Sequence, residues 1–405
     1  MMRVLWINQA ARLAGGCERY IQDTVQLLRE RGVASALFYD VADTTDPEYT
    51  QAFSLGAFPV VDLPLQIAEL APDIIYVHRM VESASFLSAI RQAPVPAQRF
   101  IHDHKLFCPR EHKYTVLGKQ TCTRTVGWGC YPCLGVVNKV PASEGLIRLR
   151  LPHTLLREQQ ANREAFAGFV TGSGYMTAHL KAHGFPADRV HTIPLFTPEP
   201  ADEDLLPVER APDVLLFVGQ LTTGKAVDVL LEAVARTQNP CRLRLVGTGK
   251  FEQEYRDLTA RLGLAERVTF VGKKNGAELA REYRQASMVV FPSRTPETFG
   301  LVGPEAMSHG TPVIATAVGG MTEWLEDGVN GLVVPPNDVA ALAQAIDTLL
   351  SDPQRRIQMG CAGKQRHQTR FTPAHHVSAL LHLFEALQAG SVSRSRIPHP
   401  KEAQV

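Results

Sequence analysis

DVLLFVGQLTTGKAVDVLLEAVA, running from Asp213 to Ala235, holds a strand, a glycine-bearing loop and a helix in that order. Val214 to Val218 form a continuous apolar run, the mark of a strand buried on both faces. From Val227 the apolar residues recur at helical spacing. Between them Gly219 and Gly224 stand five apart and Lys225 follows, nearly the P-loop of nucleotide-triphosphate enzymes. A P-loop would next place Ser or Thr to hold Mg²⁺, and this chain has Ala226. No apolar strand of this half ends in an aspartate that could share the metal. The loop is therefore read as a metal-free phosphate site. Lys225 supplies a point charge beside a helix N-terminus that already favours anions. The alternative is a plain strand-to-helix turn whose glycines serve the backbone alone.

The same alternation continues on both sides. Downstream come RLRLVG, RVTFVG, SMVVFPS, TPVIAT and GLVVPP, with helical segments between them. Upstream come RVLWIN (Arg3–Asn8), ASALFYD, DIIYVH, QRFIH, GFVTGS and VHTIPL. Tyr20, Ile21, Val25, Leu27 and Leu28 make the apolar face of an early helix that Gly32 ends. Strands alternating with helices predict an α/β protein built from two Rossmann-like, doubly wound parallel sheets facing a cleft. TPEPADEDLLPVERAP is acidic, proline-rich and aperiodic, so residues 197–212 read as a linker. The expected domains are 1–196, with a cysteine-bearing insertion at 108–160, and 213–372. A helix at 373–390 is expected to pack back on the first domain, and the polar tail 391–405 to be disordered.

Composition narrows the function. The 405 residues exceed one ordinary core, and 45% hydrophobic content can fill two. With 42 basic and 41 acidic side chains there is no electrostatic basis for binding nucleic acid. No segment approaches ~20 uninterrupted apolar residues, and the N-terminus lacks a signal-peptide pattern. Seven cysteines, an odd count, read as reduced thiols in the cytoplasm.

A second loop, PSRTPETFGLVGPEAMSHG (Pro292–Gly310), follows strand SMVVF and carries Glu297 and Glu305. Phe299, Gly300 and Leu301 lie between them, where backbone N–H groups near a helix start would point outward. Two surface glutamates, one helping to cap the helix, are the plainer alternative.

From Phe217 to Ile346 the chain resembles, nearly without a break, the retaining GT-B glycosyltransferases of family 4, the glycosyl transferases group 1 type. That large family includes sucrose-phosphate synthases and many bacterial lipopolysaccharide and capsule enzymes. The first half resembles it more sparsely, through AGGCERY, PDIIYVH and FIHDHKLFCPR. The resemblance implies a hexosyltransferase that uses a UDP- or GDP-sugar and needs no catalytic cofactor. It implies that Glu305 grips the ribose hydroxyls and that Glu297 lies beside the transferred sugar. Phe299, Gly300 and Leu301 would contact sugar and diphosphate, with Gly247 of LRLVGTGK also at the donor. Lys225 would neutralise the leaving diphosphate, His102 would hydrogen-bond the donor sugar, and the backbone at Gly15 and Gly16 would approach the diphosphate. The implied acceptor is a sugar or lipid-linked hydroxyl in cell-surface polysaccharide, lipopolysaccharide or glycolipid synthesis. Two positions depart from the pattern. Gln220 stands where an arginine is usual, with Arg294 and Lys250 as candidate replacements for its charge. Ala226 stands where glycine is usual. A non-catalytic sugar-nucleotide scaffold and a nucleotide-sugar epimerase are the rival readings.

Three further features stand apart. Cys108, Cys122, Cys130 and Cys133 include a Cys-Tyr-Pro-Cys pair that suits Zn²⁺ in a closed structural site; free thiols in a flexible insertion are the alternative. GLIRLRLPHTLLREQQ (Gly145–Gln160) mixes apolar residues with arginines and reads either as peripheral contact with the inner membrane surface or as an amphipathic helix interrupted by Pro152. His78 reads as a cleft or core histidine, Gly319 and Gly320 as a close backbone approach to ligand, and Glu323 as a helix cap.

Overall fold

The computed structural model describes residues 1–40, 44–80, 83–115, 120–133, 136–138, 148–198 and 210–390. The first half contains β1 (Arg3–Ile7), α1 (Gly16–Glu30), β2 (Ala34–Tyr39), α2 (Pro47–Thr50), β3 (Ala57–Pro59) and α3 (Leu63–Leu70). Next come β4 (Ile74–Val77), α4 (Ala84–Gln92), β5 (Ala97–Ile101), the two-residue strands β6 (Val137–Asn138) and β7 (Arg148–Leu149), and α5 (Pro152–Ala165). β8 (Gly168–Thr171), α6 (Gly174–Ala182) and β9 (Val190–Thr192) complete it. Seven strands form a parallel sheet in the order β3-β2-β1-β4-β5-β8-β9, while β6 and β7 pair antiparallel outside it.

The second half contains β10 (Val214–Val218), α7 (Val227–Arg236), β11 (Arg242–Val246), α8 (Glu252–Arg261), β12 (Val268–Gly272), α9 (Gly276–Gln285) and β13 (Met288–Phe291). It continues with α10 (Val302–Ser308), β14 (Val313–Thr316), β15 (Gly331–Val334), α11 (Val339–Ser351), α12 (Pro353–Arg370) and α13 (Pro373–Gln388). Six parallel strands run β12-β11-β10-β13-β14-β15.

The apolar runs are continuous because these strands are covered on both faces. Leu215 and Phe217 point into the core with α7, while Leu216 points into the other core with Tyr283 and Met307. All three side chains are fully buried. Strand order reverses between β1 and β4 in one sheet and between β10 and β13 in the other. Such switch points open a crevice at the carboxyl ends of the flanking strands. The Lys225 loop and the Glu297 loop therefore leave adjacent strands, 72 residues apart in sequence.

The last helix crosses between the halves. Val377, Leu380, Phe384 and Leu387 of α13 pack with Val4, Trp6, Val25 and Leu28. Tyr20 Oη lies 3.0 Å from His376 Nε2, and His376 Nδ1 lies 2.7 Å from the Pro194 carbonyl. Most of the linker expected at 197–212, residues 199–209, and the tail expected to be disordered, 391–405, lie outside the described residues. Arg210 at the end of the linker bonds the carbonyls of Ala286, His309 and Gly310.

One sequence expectation changes. Pro152 does not interrupt a helix; it is the first residue of α5, where its missing N–H is harmless. Leu155, Gln159 and Asn162 of that helix are buried in the first half, and Arg150 pairs with Glu111 and Glu158. Leu155 is thus committed to the protein's own core, while Leu149 and Leu156 of the same segment stay exposed. No helix among the described residues is long and apolar enough to cross a membrane. The edge strand β3 was not legible in the sequence, being three residues long and ending in Pro59.

Candidate active site

After β10 the chain turns through Gly219 into the short 3₁₀ turn Thr223–Lys225. Lys225 Nζ sits 2.7 Å from Glu297 Oε1 and 4.7 Å from the centre of the Phe291 ring. Ser293 Oγ donates to the same carboxylate oxygen at 2.8 Å. The ammonium is thus held at the switch point by a carboxylate and an aromatic face. Ala226 has φ +56°, left-handed backbone that disfavours any side chain by about 1 kcal/mol. This explains why glycine is the usual residue there. Ala226 also precedes α7, whose first turn has no side-chain cap.

Gly247 has φ +133°, and a Cβ there would lie 1.9 Å from the Gly219 carbonyl oxygen. Its own N–H donates to Gly272. Glycine is required here because two loops touch, whatever a ligand needs. Gln220 is exposed. Of the two residues offered as substitutes for the missing arginine charge, Arg294 is already bound to Asp228 at 2.7 Å and to Asn337 at 2.9 Å. Lys250 is exposed and stacks over Phe251.

The Glu297 loop is pinned from behind. Gly320 N–H donates to the Glu297 carbonyl at 2.7 Å, and Trp324 Nε1 donates to the Phe299 carbonyl at 2.8 Å. A Cβ on Gly319 would lie 2.1 Å from the Glu297 carbonyl oxygen, and one on Gly320 2.5 Å from that of Thr298. These glycines therefore brace the loop, where the sequence suggested contact with ligand. The Phe299 ring is buried, and Gly300 adopts φ +82°. Among the described residues the N–H groups of Phe299, Gly300 and Leu301 have no acceptor. They are unclaimed by the protein on the loop that carries Glu297. Glu305, in the first turn of α10, accepts from Tyr283 Oη at 2.6 Å. Burial raises its pKa, and the Tyr283 hydroxyl opposes that rise.

The first half braces this loop across the cleft. Ser173 Oγ donates to the Thr298 carbonyl at 2.6 Å, and Gly174 N–H donates to Glu323 Oε1 at 2.7 Å. Glu323 thus serves the N-terminus of α6, correcting its reading as a cap for the helix that follows it.

Gly15 and Gly16 are exposed at the start of α1, and nothing lies within 4 Å of a Cβ placed on Gly16. Gly15 lines a cavity of about 320 Å³ with Gln9, Arg12, Glu18, Asp40 and Arg79. His102, just past β5, is engaged by two residues the sequence did not connect to it. Its Nε2 lies 2.7 Å from His78 Nδ1 and 3.4 Å from Cys17 Sγ. The ligand atoms of this trio all lie within 4.8 Å of one another. The 2.7 Å histidine contact is a hydrogen bond, shorter than the about 3.3 Å that two nitrogens keep on one tetrahedral zinc. His78 and Cys17 each sit at a strand end or helix start, the only local signal that could have marked them. The structure brings Lys225 and Glu297 together, and Phe299 to Leu301 follow Glu297 on the same loop. Among the described residues, His102 and Glu305 make no hydrogen bond to that group.

Burial holds His102 well below the usual histidine range, and His78, Arg79 and Arg99 add to the effect. Burial also lowers His78, and it brings His376 down to about 4. These rings are neutral when folded and near 6.5 when unfolded. Between those values the unfolded chain binds more protons, so stability is full above pH 6.5 and is lost as pH falls. A histidine displaced to about 4 withdraws about 2 kcal/mol at pH 5. A steep fall in Tm between pH 7 and 5, absent above pH 7, is the expected melting profile.

Two facing Rossmann-like sheets, with a lysine and open amides at the switch point of the second, define a glycosyltransferase of GT-B architecture. Residues 203–366 match the model of the family described as glycosyl transferases group 1. The chain is 30% identical to the D-inositol 3-phosphate glycosyltransferase of Stackebrandtia nassauensis, covering 96% of this chain and 90% of that protein. A relative of the same name from Thermobifida fusca is 29% identical, over 91% of this chain and 85% of its own. In fold it resembles a sucrose-phosphate synthase from Thermosynechococcus elongatus, with TM-score 0.72, 23% identity and coverage of 96% and 100%. It also resembles Anabaena HepE in complex with UDP and glucose, with TM-score 0.69, 19% identity and coverage of 95% and 100%. The chain belongs to the glycosyl transferases group 1 family.

Proposed function

We propose that the protein transfers a hexose from a nucleotide-diphosphate sugar to an acceptor hydroxyl with retention of anomeric configuration. The observation that carries this reading is the Lys225–Glu297 pair beside the unclaimed N–H groups of Phe299, Gly300 and Leu301. When the bond from the anomeric carbon to the diphosphate breaks, negative charge grows on the departing phosphate. Fixed donors aimed at that charge give the largest catalytic return. Lys225 supplies an ammonium there and the three amides supply dipoles. Glu297 holds the lysine and lies beside the sugar, and Glu305 takes the ribose hydroxyls. The backbone at Gly15 and Gly16 approaches the diphosphate, and the acceptor hydroxyl, on a sugar or a lipid-linked sugar, enters beside it through the cavity that Gln9 and Arg79 also line. It attacks from the face the diphosphate leaves, and the phosphate takes its proton. His102 stays neutral and can therefore hydrogen-bond the donor sugar. The HepE complexes with UDP and UDP-glucose support uridine as the base. The cellular setting proposed is cell-surface polysaccharide or glycolipid synthesis in the cytoplasm.

The test pairs thermal-shift screening of UDP-, GDP- and ADP-sugars with NMR assignment of the product anomer. A UDP- or GDP-sugar should raise Tm, and the product should keep the donor's configuration. Glu297→Ala should abolish transfer. Binding without turnover in the unaltered protein would indicate the scaffold instead, and an inverted product would remove the front-side route. Glu305→Gln tests the ribose contact separately. Losing a charged hydrogen-bond acceptor should raise the donor Kd roughly ten- to hundredfold, with a smaller change in kcat. An unchanged Kd by calorimetry would remove Glu305 from the site.

A further inference from the structure

Among its described residues, the loop joining β5 to α5 has little regular structure of its own to hold it. Its described part contains one 3₁₀ turn, Trp128–Cys130, an isolated bridge between Tyr114 and Thr121, and the β6–β7 pair. Long loops without a core of their own usually need a staple. Into this loop the sequence places Cys108, Cys122, Cys130 and Cys133, all free thiols. The fold brings all four to the wall of one cavity of about 40 Å³, shared with Phe107 and Arg124. That volume suits a single ion.

A second observation points the same way. Lys113 is 1% exposed, and its ammonium donates to the Arg124 carbonyl. Among the described residues it has no carboxylate partner. Buried charges are normally paired or bound to metal. It is also tied to one of the four cysteines through the backbone, because Cys122 N–H donates to the Lys113 carbonyl at 2.7 Å. Thiolates held by a metal in the same cavity would supply the missing counter-charge. A divalent ion meets that need, because it deprotonates the thiols and leaves a tetrathiolate of net charge about −2 for the ammonium to offset.

We propose that Cys108, Cys122, Cys130 and Cys133 bind one zinc ion as a closed structural site, with Lys113 as its buried counter-charge. Among the described residues only the Cys17, His78 and His102 group has three ligand atoms within 4.8 Å of one another. The four loop sulfurs therefore stand further apart than a loaded site holds them, and zinc draws them inward to about 2.3 Å from the metal. Binding is coupled to tightening of the loop. With four sulfur ligands the ion has no open position and performs no chemistry. Its effect is positional. Tyr114 Oη of the same loop lies 3.4 Å from Asn337 Nδ2, and Asn337 Oδ1 accepts from Arg294 of the Glu297 loop. The zinc-bound loop thus steadies one edge of the cleft.

Metal content tests this independently of any sugar transfer. Untagged protein, purified without chelators from zinc-supplemented cells, should carry about one zinc per chain by mass spectrometry. Titration of the native protein with a mercurial thiol reagent should release that zinc as the four thiols react. The variant C130S/C133S should carry none, while C361S, which removes an exposed cysteine outside the loop, should stay fully loaded. Lys113→Gln keeps all four sulfurs and should lose zinc to a chelator about tenfold more readily. Zinc below about a tenth of an equivalent in unaltered protein, even after anaerobic reconstitution, would overturn the proposal. So would iron with visible absorbance, or full zinc loading in C130S/C133S.

Discussion

Lys225→Met should lower kcat by about 10²–10³-fold while the protein stays folded. The lysine side chain is 23% exposed and belongs to no core, so its loss leaves packing intact. What it removes is the ammonium held against the carboxylate of the switch-point loop. Charge on the departing phosphate then falls to the amides of Phe299, Gly300 and Leu301 alone. Among the described residues the same substitution leaves the Glu297 carboxylate with Ser293 alone as a partner, and a carboxylate facing a diphosphate without an intervening cation repels it. Donor affinity should therefore weaken as well, but by less than kcat, because the charge is largest in the transition state. Lys225→Arg should recover part of the rate, since charge is retained while reach and shape are not. Stopped turnover and donor Kd, measured on all three proteins, decide the matter. A kcat within threefold of the unaltered enzyme in Lys225→Met would show that the leaving group is stabilised elsewhere.

Gly319→Ala should cost about 3 kcal/mol or more and also disable the site. Its φ of +69° is one that alanine resists, and the added Cβ would meet the Glu297 carbonyl oxygen at 2.1 Å and its nitrogen at 2.6 Å. Backbone cannot rotate aside as a side chain can. Either β14's following loop moves or the Glu297 segment does, and the Gly320-to-Glu297 hydrogen bond is lost in both cases. For a domain of this size the expected fall in Tm is roughly 6–12 °C. Activity measured well below the new Tm should still be down by tenfold or more, because Glu297 and the open amides share one rigid segment. A drop in Tm with full activity at low temperature would show that Gly319 matters only to folding. An unchanged Tm would contradict the packing described here.

Much of the candidate site could be read locally. Lys225 was marked by its place after an apolar strand and before a helix, and Glu297 by its place after another. The Phe299–Leu301 amides were marked by Gly300 and by the helix start at Val302. Other parts were hidden. Arg294 looked like a free cation, and only the fold shows Asp228 holding it. Glu323 looked like a local cap, and only the fold carries it to Gly174. His78 and Cys17 gave no sign that they would meet at His102. Pro152 looked like a helix breaker because a proline's effect depends on whether it falls first or fifth in the helix.

Sequence alone determined that this chain forms two parallel α/β sheets with functional loops at strand ends. Burial on both faces demands unbroken apolar strands, and amphipathic helices must cover them, so the pattern is written residue by residue. Only tertiary structure decided which loops meet. Strand order sets β10 beside β13, and that choice, made by packing over the whole sheet, brings the ammonium of Lys225 to the carboxylate of Glu297. A hydrogen bond between residues 72 positions apart has no local signature, because its energy depends on a distance that the folded sheet alone fixes.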